Sequence, residues 1–210
     1  MVIKDSKKEF IFEEDREFQS AHASTLVALE NGDVLAAWFG GSWEKGNDVE
    51  IWMSRRTEKG WQKPFMVAES WSIPLWNPVL FRRPDGRILL YYKEGKTISQ
   101  WKTLVKYSDD DGISFSEAKE LVNDDIGGRG PVKNKPIQLT NGNILASVEG
   151  DLWDCFVDIS KDSGETWTAS SMIPTPCFSK GIMSLPLYGP VQRKLSLCGK
   201  RQQSLTATFR

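Results

Sequence analysis

The sequence predicts an all-β fold made of repeated antiparallel sheets, and three observations predict it. A hairpin pattern occurs three times, a second turn motif recurs at nearly the same period, and helical patterns are almost absent. The one stretch with helical character, residues 116–122, is too short for an independently stable helix. Repeated strands with so little helix argue against the helical and mixed α/β classes.

The hairpin pattern consists of an apolar strand, a polar turn that ends in glycine, and a second apolar strand. Its turn glycines, Gly32, Gly86 and Gly142, are spaced 54 and 56 residues apart. Asn-Gly and Asp-Gly are strong hairpin signals because the tight turn requires a positive φ. The predicted strand pairs are, in chain order, 24–29 with 34–39, 78–81 with 88–92, and 135–139 with 144–148.

A second motif, S-x-D-x-G-x-[ST]-[FW], is interleaved with the hairpins. It occurs at residues 108–115 and 160–167, and a degenerate copy lies at residues 54–61. The aspartate in such a turn accepts hydrogen bonds from backbone N–H groups, and the glycine supplies a left-handed conformation. We therefore expect Asp110 and Asp162 to stabilise turns, and the motif's aromatic residues to pack between neighbouring units.

Four strands in each unit of about 50 residues predict a β-propeller. Three units fill residues 20 to about 170, and the chain as far as Gly181 reads like the start of a fourth. We therefore predict a partial propeller of about three to three and a half blades over residues 1–182. A closed propeller usually has at least about 4 blades, so self-association of an incomplete ring is an open alternative.

The repeat pattern ends at about Met183, and residues 183–210 form an atypical tail. This tail has neither a hairpin signal nor the turn motif, and it contains a basic cluster. Three explanations stay open: a genuine tail, completion of the fold by a partner, and a shift of the reading frame. We favour the frame shift because the pattern ends abruptly just inside a strand.

Composition excludes several functional classes. The 27 Lys and Arg balance 28 Asp and Glu, and this balance argues against a broad nucleic-acid-binding surface. The charged N-terminus lacks the apolar core of a signal peptide, and no apolar run approaches the roughly 18 residues of a membrane helix. We therefore predict a cytoplasmic protein without membrane contact. Three Cys without CxxC spacing and one His predict no metal site, and we expect no cofactor.

Several segments together resemble the Asp-box (BNR) repeat proteins of the sialidase superfamily. They are the two motif copies, residues 22–26 with 37–41, and residues 76–81 and 133–137, which fit the BNR repeat-like or exo-sialidase-like branch. The resemblance covers roughly residues 18–182. It implies a six-bladed propeller of the sialidase type, with a glycan site where the innermost strands converge. Its members bind a substrate carboxylate through three arginines, and use an acid/base Asp and a Tyr nucleophile.

The resemblance assigns roles only at positions that match. His22 stands where the first arginine is expected, and the second arginine is missing near residues 40–42. Asp48 matches the acid/base aspartate, whereas the third arginine and the tyrosine would lie on later blades. Glu149 ends the strand after the third hairpin, in the register that Lys93 has after the second. The catalytic candidates are therefore His22, Asp48 and Glu149.

The substrate-binding candidates share predicted positions in loops or at strand ends near the axis. We expect tryptophans in loops to stack on sugar rings, with Trp153 as a further example, and basic residues to bind a carboxylate or sulfate. Each charged candidate could instead be a solvated loop or strand end. The candidates are Trp43, Glu44, Trp76, Asn77, Lys93, Arg129, Lys133, Asn134 and Lys135.

These observations predict a sialidase-like glycoside hydrolase that acts on a terminal, acidic sugar of a glycan or oligosaccharide. His22 and Asp48 would exchange protons with the substrate. Elimination at a uronic acid is a close variant, since a histidine base and a basic carboxylate clamp suit a lyase. A non-catalytic carbohydrate- or protein-binding fragment is the alternative from a different class.

Overall fold

The computed structural model describes residues 7–149 and 155–173, which form antiparallel sheets and contain no α-helix. Sheet 1 contains five strands, with the first four in chain order and the fifth paired to the third. They are β1 (Ser20–Ala28), β2 (Val34–Gly41), β3 (Glu50–Thr57), β4 (Gly60–Trp61) and β5 (Phe65–Ala68).

Sheets 2 and 3 each contain four strands in chain order. Sheet 2 consists of β6 (Leu75–Arg82), β7 (Ile88–Glu94), β8 (Lys102–Ser108) and β9 (Lys119–Glu120), with a short 3-10 helix at Ile98–Gln100. Sheet 3 consists of β10 (Ile137–Gln138), β11 (Ile144–Glu149), β12 (Cys155–Ser160) and β13 (Thr168–Ala169). The predicted all-β class is confirmed. The predicted tail, residues 183–210, lies outside the described residues.

The three predicted hairpins open the three sheets. Gly32, Gly86 and Gly142 have φ values of 87°, 96° and 87°, and each donates its N–H to the carbonyl three residues earlier. These positive φ values explain why glycine ends each turn. The spacing of 54 and 56 residues in the sequence therefore reflects the repetition of one sheet unit.

The two complete turn motifs have the internal hydrogen bonds that the sequence predicts. Asp110 accepts from the N–H groups of Ile113 and Ser114, and Asp162 accepts from the N–H of Thr166. Hydrogen bonds from the Ser114 and Thr166 side chains are the largest cause that lowers the pKa values of the two carboxyl groups to about 2. Both aspartates therefore stabilise turns, as expected.

Each turn motif also packs against the preceding sheet. Arg55 of sheet 1 donates to the carbonyl of Asp111, and Arg83, in the hairpin turn between β6 and β7, donates to the carbonyl of Ser163 at 3.2 Å. Asp111 and Ser163 occupy the same motif position and both have positive φ. The motif therefore joins neighbouring sheets in addition to closing its own turn.

Hydrophobic residues fill the spaces between successive sheets. The core between sheets 1 and 2 includes Leu35, Ile51, Leu80 and Leu90, and that between sheets 2 and 3 includes Val79, Tyr91, Ile144 and Trp167. The other face of sheet 1 is covered by the preceding segment, where Phe12 and Phe18 contact Trp38. The first sheet therefore has a cover of its own.

The strand register separates the two ends of the sheets. The hairpin turns and turn motifs lie at one end. At the other end of the sheets, Ser20 pairs with Gly41, Leu75 with Glu94, and Glu149 with Cys155. We call this second end the loop end, because loops 42–49, 69–74, 95–101 and 121–136 lie there. Among residues 7–149 and 155–173, no helix has the length and apolar character to cross a membrane.

Candidate functional site

Two β-bulges mark the loop end of sheets 1 and 2. The register shifts between His22 and Thr25 in β1, and between Trp76 and Val79 in β6. Ala23 and Asn77 follow the first residue of each bulge and have φ values of 53° and 44°. Positive φ is costly for alanine and less so for asparagine. Bulges re-aim side chains and are common beside active sites, so this repeated irregularity marks a candidate site.

Two hydrogen bonds connect β1 to the parts of the chain that follow sheet 1. Thr25 Oγ1 accepts a hydrogen bond of 3.2 Å from the Leu80 N–H, which links β1 to β6. The ammonium group of Lys135, just before β10, donates a hydrogen bond to the Leu26 carbonyl. These contacts connect β1 to the first strand of sheet 2 and to the segment that leads into sheet 3.

A row of aromatic rings runs from sheet 1 into sheet 2. Ring centroids are separated by 5.5 Å for His22 and Phe39, 5.5 Å for Phe39 and Trp76, and 5.9 Å for Trp76 and Trp101. His22 is the exposed end of this row, and its Nε2 is hydrogen-bonded to Ser20 Oγ at 2.9 Å. The exposed His22 imidazole therefore packs against a row of buried aromatic rings.

The prediction that Trp76 lies in an exposed loop is wrong. Trp76 lies in β6, is only 7% exposed, and donates Nε1–H to the Gly95 carbonyl at 2.8 Å. The sequence does not reveal this burial because it depends on the packing of sheet 2 against Phe39 of sheet 1. Trp43, in contrast, is 62% exposed in loop 42–49, as predicted.

Loop 42–49 holds the Asp48 carboxylate. Ser42 donates both its N–H, at 2.9 Å, and its hydroxyl to Asp48 Oδ2. The hydroxyl and then the backbone N–H lower the pKa of this exposed carboxyl, so Asp48 is ionised at neutral pH. Such a group accepts protons and hydrogen bonds, and a proton donor must be found elsewhere.

Two glycines allow the close packing of this loop. A Cβ on Gly41 would lie 2.9 Å from the Asp48 carbonyl oxygen, and a Cβ on Gly46 would lie 2.5 Å from Asp48 Oδ1. The Val49 carbonyl accepts the Leu75 N–H at 2.9 Å, which joins the loop to the start of β6. This hydrogen bond therefore places the loop that carries Asp48 beside the start of β6, close to the β6 bulge.

Glu50 is an ionisable residue that the sequence analysis missed. Burial raises its pKa, and the charges of Glu69 and Asp48 add to this rise. However, Glu50 pairs with Gly40 and lies on the face of sheet 1 opposite Phe39 and His22. Its position therefore separates it from the aromatic row.

Lys93 is fully buried and holds a glycine-rich loop. Its ammonium donates to Thr103 Oγ1 at 2.6 Å and to the carbonyls of Gly128 and Arg129 at 3.0 and 2.7 Å. Burial lowers the pKa of Lys93 to about 7, against the opposing effect of Asp158. These contacts exclude the alternative that Lys93 is an exposed strand end.

Arg129 is bound to a buried carboxylate. Its Nε and Nη2 lie 2.8 and 2.5 Å from Asp158 Oδ1, and the Gly130 N–H donates to Oδ2 at 2.6 Å. The Asp158 side chain is completely buried in β12. The ion pair joins the glycine-rich loop to sheet 3 and neutralises the charge predicted to bind an anionic sugar. The charged Asp158 within an apolar strand was the available sequence signal for this pair.

The other candidates occupy separate parts of the loop end. Glu44 is exposed in loop 42–49, Asn77 is half-buried at the bulge of β6, and Glu149 ends β11. Lys133 and Lys135 are exposed before β10, and Asn134 is half-buried between them. Trp153 lies outside the described residues. In residues 7–149 and 155–173, no three His, Cys, Asp or Glu side chains are grouped to hold a metal ion.

The three successive sheets define an all-β protein built from repeated antiparallel units. The chain matches the family described as the BNR repeat-like domain over residues 32–210 and belongs to that family. This match confirms the resemblance stated from the sequence. A search of the curated proteins found no match.

Solved structures show the same fold. The Hadza microbial sialidase Hz136 has a TM-score of 0.60 and 18% identity, over 73% of this chain and 38% of that one. The intramolecular trans-sialidase from Ruminococcus gnavus has a TM-score of 0.63 and 12% identity, over 76% and 62%. A family 117 glycoside hydrolase of Zobellia galactanivorans has a TM-score of 0.56 and 13% identity, over 78% and 59%. This chain therefore spans less than two thirds of each of these structures.

Proposed function

We propose that this chain forms part of a sialidase-like glycoside hydrolase that acts on a terminal, acidic sugar of a glycan. The observation on which this proposal rests is the exposure of both His22 and Asp48 at the loop end of a fold that sialidases share. The three sheets would be three blades of a six-bladed propeller, with the loop end facing the substrate.

The environments of the two residues suggest different roles. Asp48 stays ionised because Ser42 donates two hydrogen bonds to it, so Asp48 is the proton acceptor or orients a water molecule. His22 then supplies the proton, since histidine is the side chain that most often acts as a general acid or base in enzymes. Exposed Trp43 would stack on the sugar, and Lys133 would attract its carboxylate.

Hydrolysis of a fluorogenic sialoside by the full chain tests this proposal. We expect His22→Ala and Asp48→Asn each to reduce kcat/KM by about a hundredfold or more, since acid/base groups typically contribute this much. Glu58→Gln is the matched control, because Glu58 is exposed in the turn between β3 and β4 at the opposite end. Equal activity of the three variants would contradict the assigned roles.

A non-catalytic carbohydrate-binding role is the second candidate, and the internal contacts of two predicted anion ligands favour it. Lys93 donates to backbone carbonyls and Arg129 to Asp158, so both are engaged within the protein. The same contacts weaken the lyase variant, which needs a free basic clamp. Binding of a sialoside without release of a fluorophore or an unsaturated product would support the binding role.

A further inference from the structure

Trp71 is almost completely exposed on the loop between β5 and β6. Its exposed fraction is 93%, the highest among the large hydrophobic side chains of the described residues. Tryptophan is highly buried on average, and full exposure of its ring leaves a large apolar surface in water. This surface is unexplained by packing, since the hydrophobic clusters of the described residues do not include Trp71.

Hydrogen bonds anchor the loop that carries Trp71 both before and after this residue in the chain. Ser70 Oγ donates to Glu94 Oε1 at 2.7 Å, and the Gly95 N–H donates to the Pro74 carbonyl at 3.2 Å. Ser72 has a φ of 58°, which turns the chain directly after Trp71. The exposure of Trp71 is therefore set by an ordered loop.

The position of this loop relates Trp71 to the candidate site. Loop 69–74 leads into β6 at the loop end, and Leu75 is hydrogen-bonded to Val49 of the Asp48 loop. Trp43, the other highly exposed tryptophan of the described residues, lies on that Asp48 loop. Two exposed indole rings therefore lie on loops of the loop end that a backbone hydrogen bond joins, and one of these loops carries Asp48.

The charges beside Trp71 indicate which ligands suit it. Glu69 lies two residues away, and Glu94 contacts the neighbouring Ser70. Carboxylates repel phosphates and anionic lipid surfaces, whereas they accept hydrogen bonds from sugar hydroxyls. An indole face with flanking carboxylates therefore suits a neutral pyranose ring.

We propose that Trp71 binds the neutral sugar next to the terminal acidic sugar of the glycan. The pyranose C–H face would stack on the indole ring, while the terminal sugar contacts His22 and Asp48. This inference rests on the proposed function, because it names the second sugar position of that same site. We therefore expect an oligosaccharide to bind more tightly than the terminal monosaccharide alone.

Calorimetric titration of the full chain with 3′-sialyllactose, lactose and free sialic acid tests the proposal. We expect Trp71→Ala to weaken 3′-sialyllactose binding by about fivefold and to leave free sialic acid binding unchanged. Trp71→Phe should retain part of the affinity. Phe10→Ala, at an aromatic residue that is 75% exposed before β1, is the matched control, and thermal unfolding of every variant should be unchanged.

The outcomes separate this proposal from the proposed function. Lactose binding that depends on Trp71, without binding of either acidic sugar, would support the sugar-binding role of Trp71. It would contradict the proposal that the terminal sugar is acidic. If His22→Ala weakens the binding of 3′-sialyllactose and Trp71→Ala does not, the proposed role of Trp71 is overturned and the proposed function is not. An equal loss of both acidic sugars in Trp71→Ala, or no sugar binding by the unmodified chain, would also overturn that role.

Discussion

At the scale of single residues, hydrogen bonds decide which charged candidates remain available at the site. Asp48 is exposed and held ionised by Ser42, while Lys93 and Arg129 form internal contacts. A charged residue at a strand end looks the same in the sequence whether it is buried or solvated. His22 and Asp48 were therefore identified as candidates by resemblance, and their catalytic roles stay a prediction. The burial of Lys93 had no local signal, whereas Asp158 within an apolar strand was a signal for the ion pair of Arg129.

The Ser42 hydroxyl should control the acidity of Asp48. In Ser42→Ala the carboxylate keeps its backbone donor and loses the larger of the two effects that lower its pKa. We therefore expect the pKa of Asp48 to rise toward the ordinary value of 3.8. An NMR pH titration of the Asp48 carboxyl carbon measures this change. Ser70→Ala, which removes a donor from Glu94, is the control, and an unshifted Asp48 titration would contradict the account.

Lys93 should make the free energy of unfolding depend on pH. Its pKa is lowered from 10.5 to about 7 on folding, so the unfolded chain binds more protons between these values. The contribution of Lys93 to stability should therefore increase as the pH rises from 7 to 10.5, by at most about 1.4 kcal/mol per pH unit. The increase should be complete above that window.

Urea unfolding at several pH values measures this contribution as the difference between the unmodified chain and Lys93→Met. Lys59→Met, at an exposed lysine in the turn between β3 and β4, is the matched control. A difference for Lys93→Met that stays constant across the pH range would show that the buried lysine remains charged throughout.

At the scale of elements, local turn chemistry was predictable and the packing between sheets was not. Glycines with positive φ and aspartates that accept backbone N–H groups are properties of a few adjacent residues, so the hairpins and turn motifs were found. The bulges at His22 and Trp76 interrupt the register inside the hairpins without a local sequence signal, and the burial of Trp76 depends on its contact with Phe39 of another sheet. Nothing in the local sequence specifies which strands of different sheets come into contact.

The turn motif should stabilise the contact between sheets through Gly112. A Cβ at Gly112 would overlap Leu35 Cδ1 of the preceding sheet, whereas a Cβ at Gly32 meets nothing within 4 Å. Both residues have positive φ, so the backbone cost of alanine is similar at the two positions. Gly112→Ala should therefore reduce the free energy of unfolding by about 1–3 kcal/mol more than Gly32→Ala.

Chemical denaturation of both variants measures this difference. Leu35→Ala removes the overlapping methyl group, so the cost of Gly112→Ala should be smaller in the Leu35→Ala background. Equal destabilisation by the two glycine substitutions would contradict a packing role for the motif.

At the scale of the whole molecule, three similar sheets follow one another along the chain, and the candidate residues lie at their loop end. The sequence period was sufficient to predict the repetition of sheets, and family membership over residues 32–210 agrees with it. The described residues do not show the closure of a ring, which local repeats do not specify. We expect the loop end of these sheets to bind a glycan.

Chemical-shift mapping of the isotopically labelled full chain during titration with 3′-sialyllactose tests this claim most directly. The account predicts concentration-dependent shifts at His22, Asp48 and Trp43, with unchanged signals in the hairpin turns around Gly32 and Gly86. Shifts confined to the hairpin end, or unchanged spectra at saturating sugar, would contradict it.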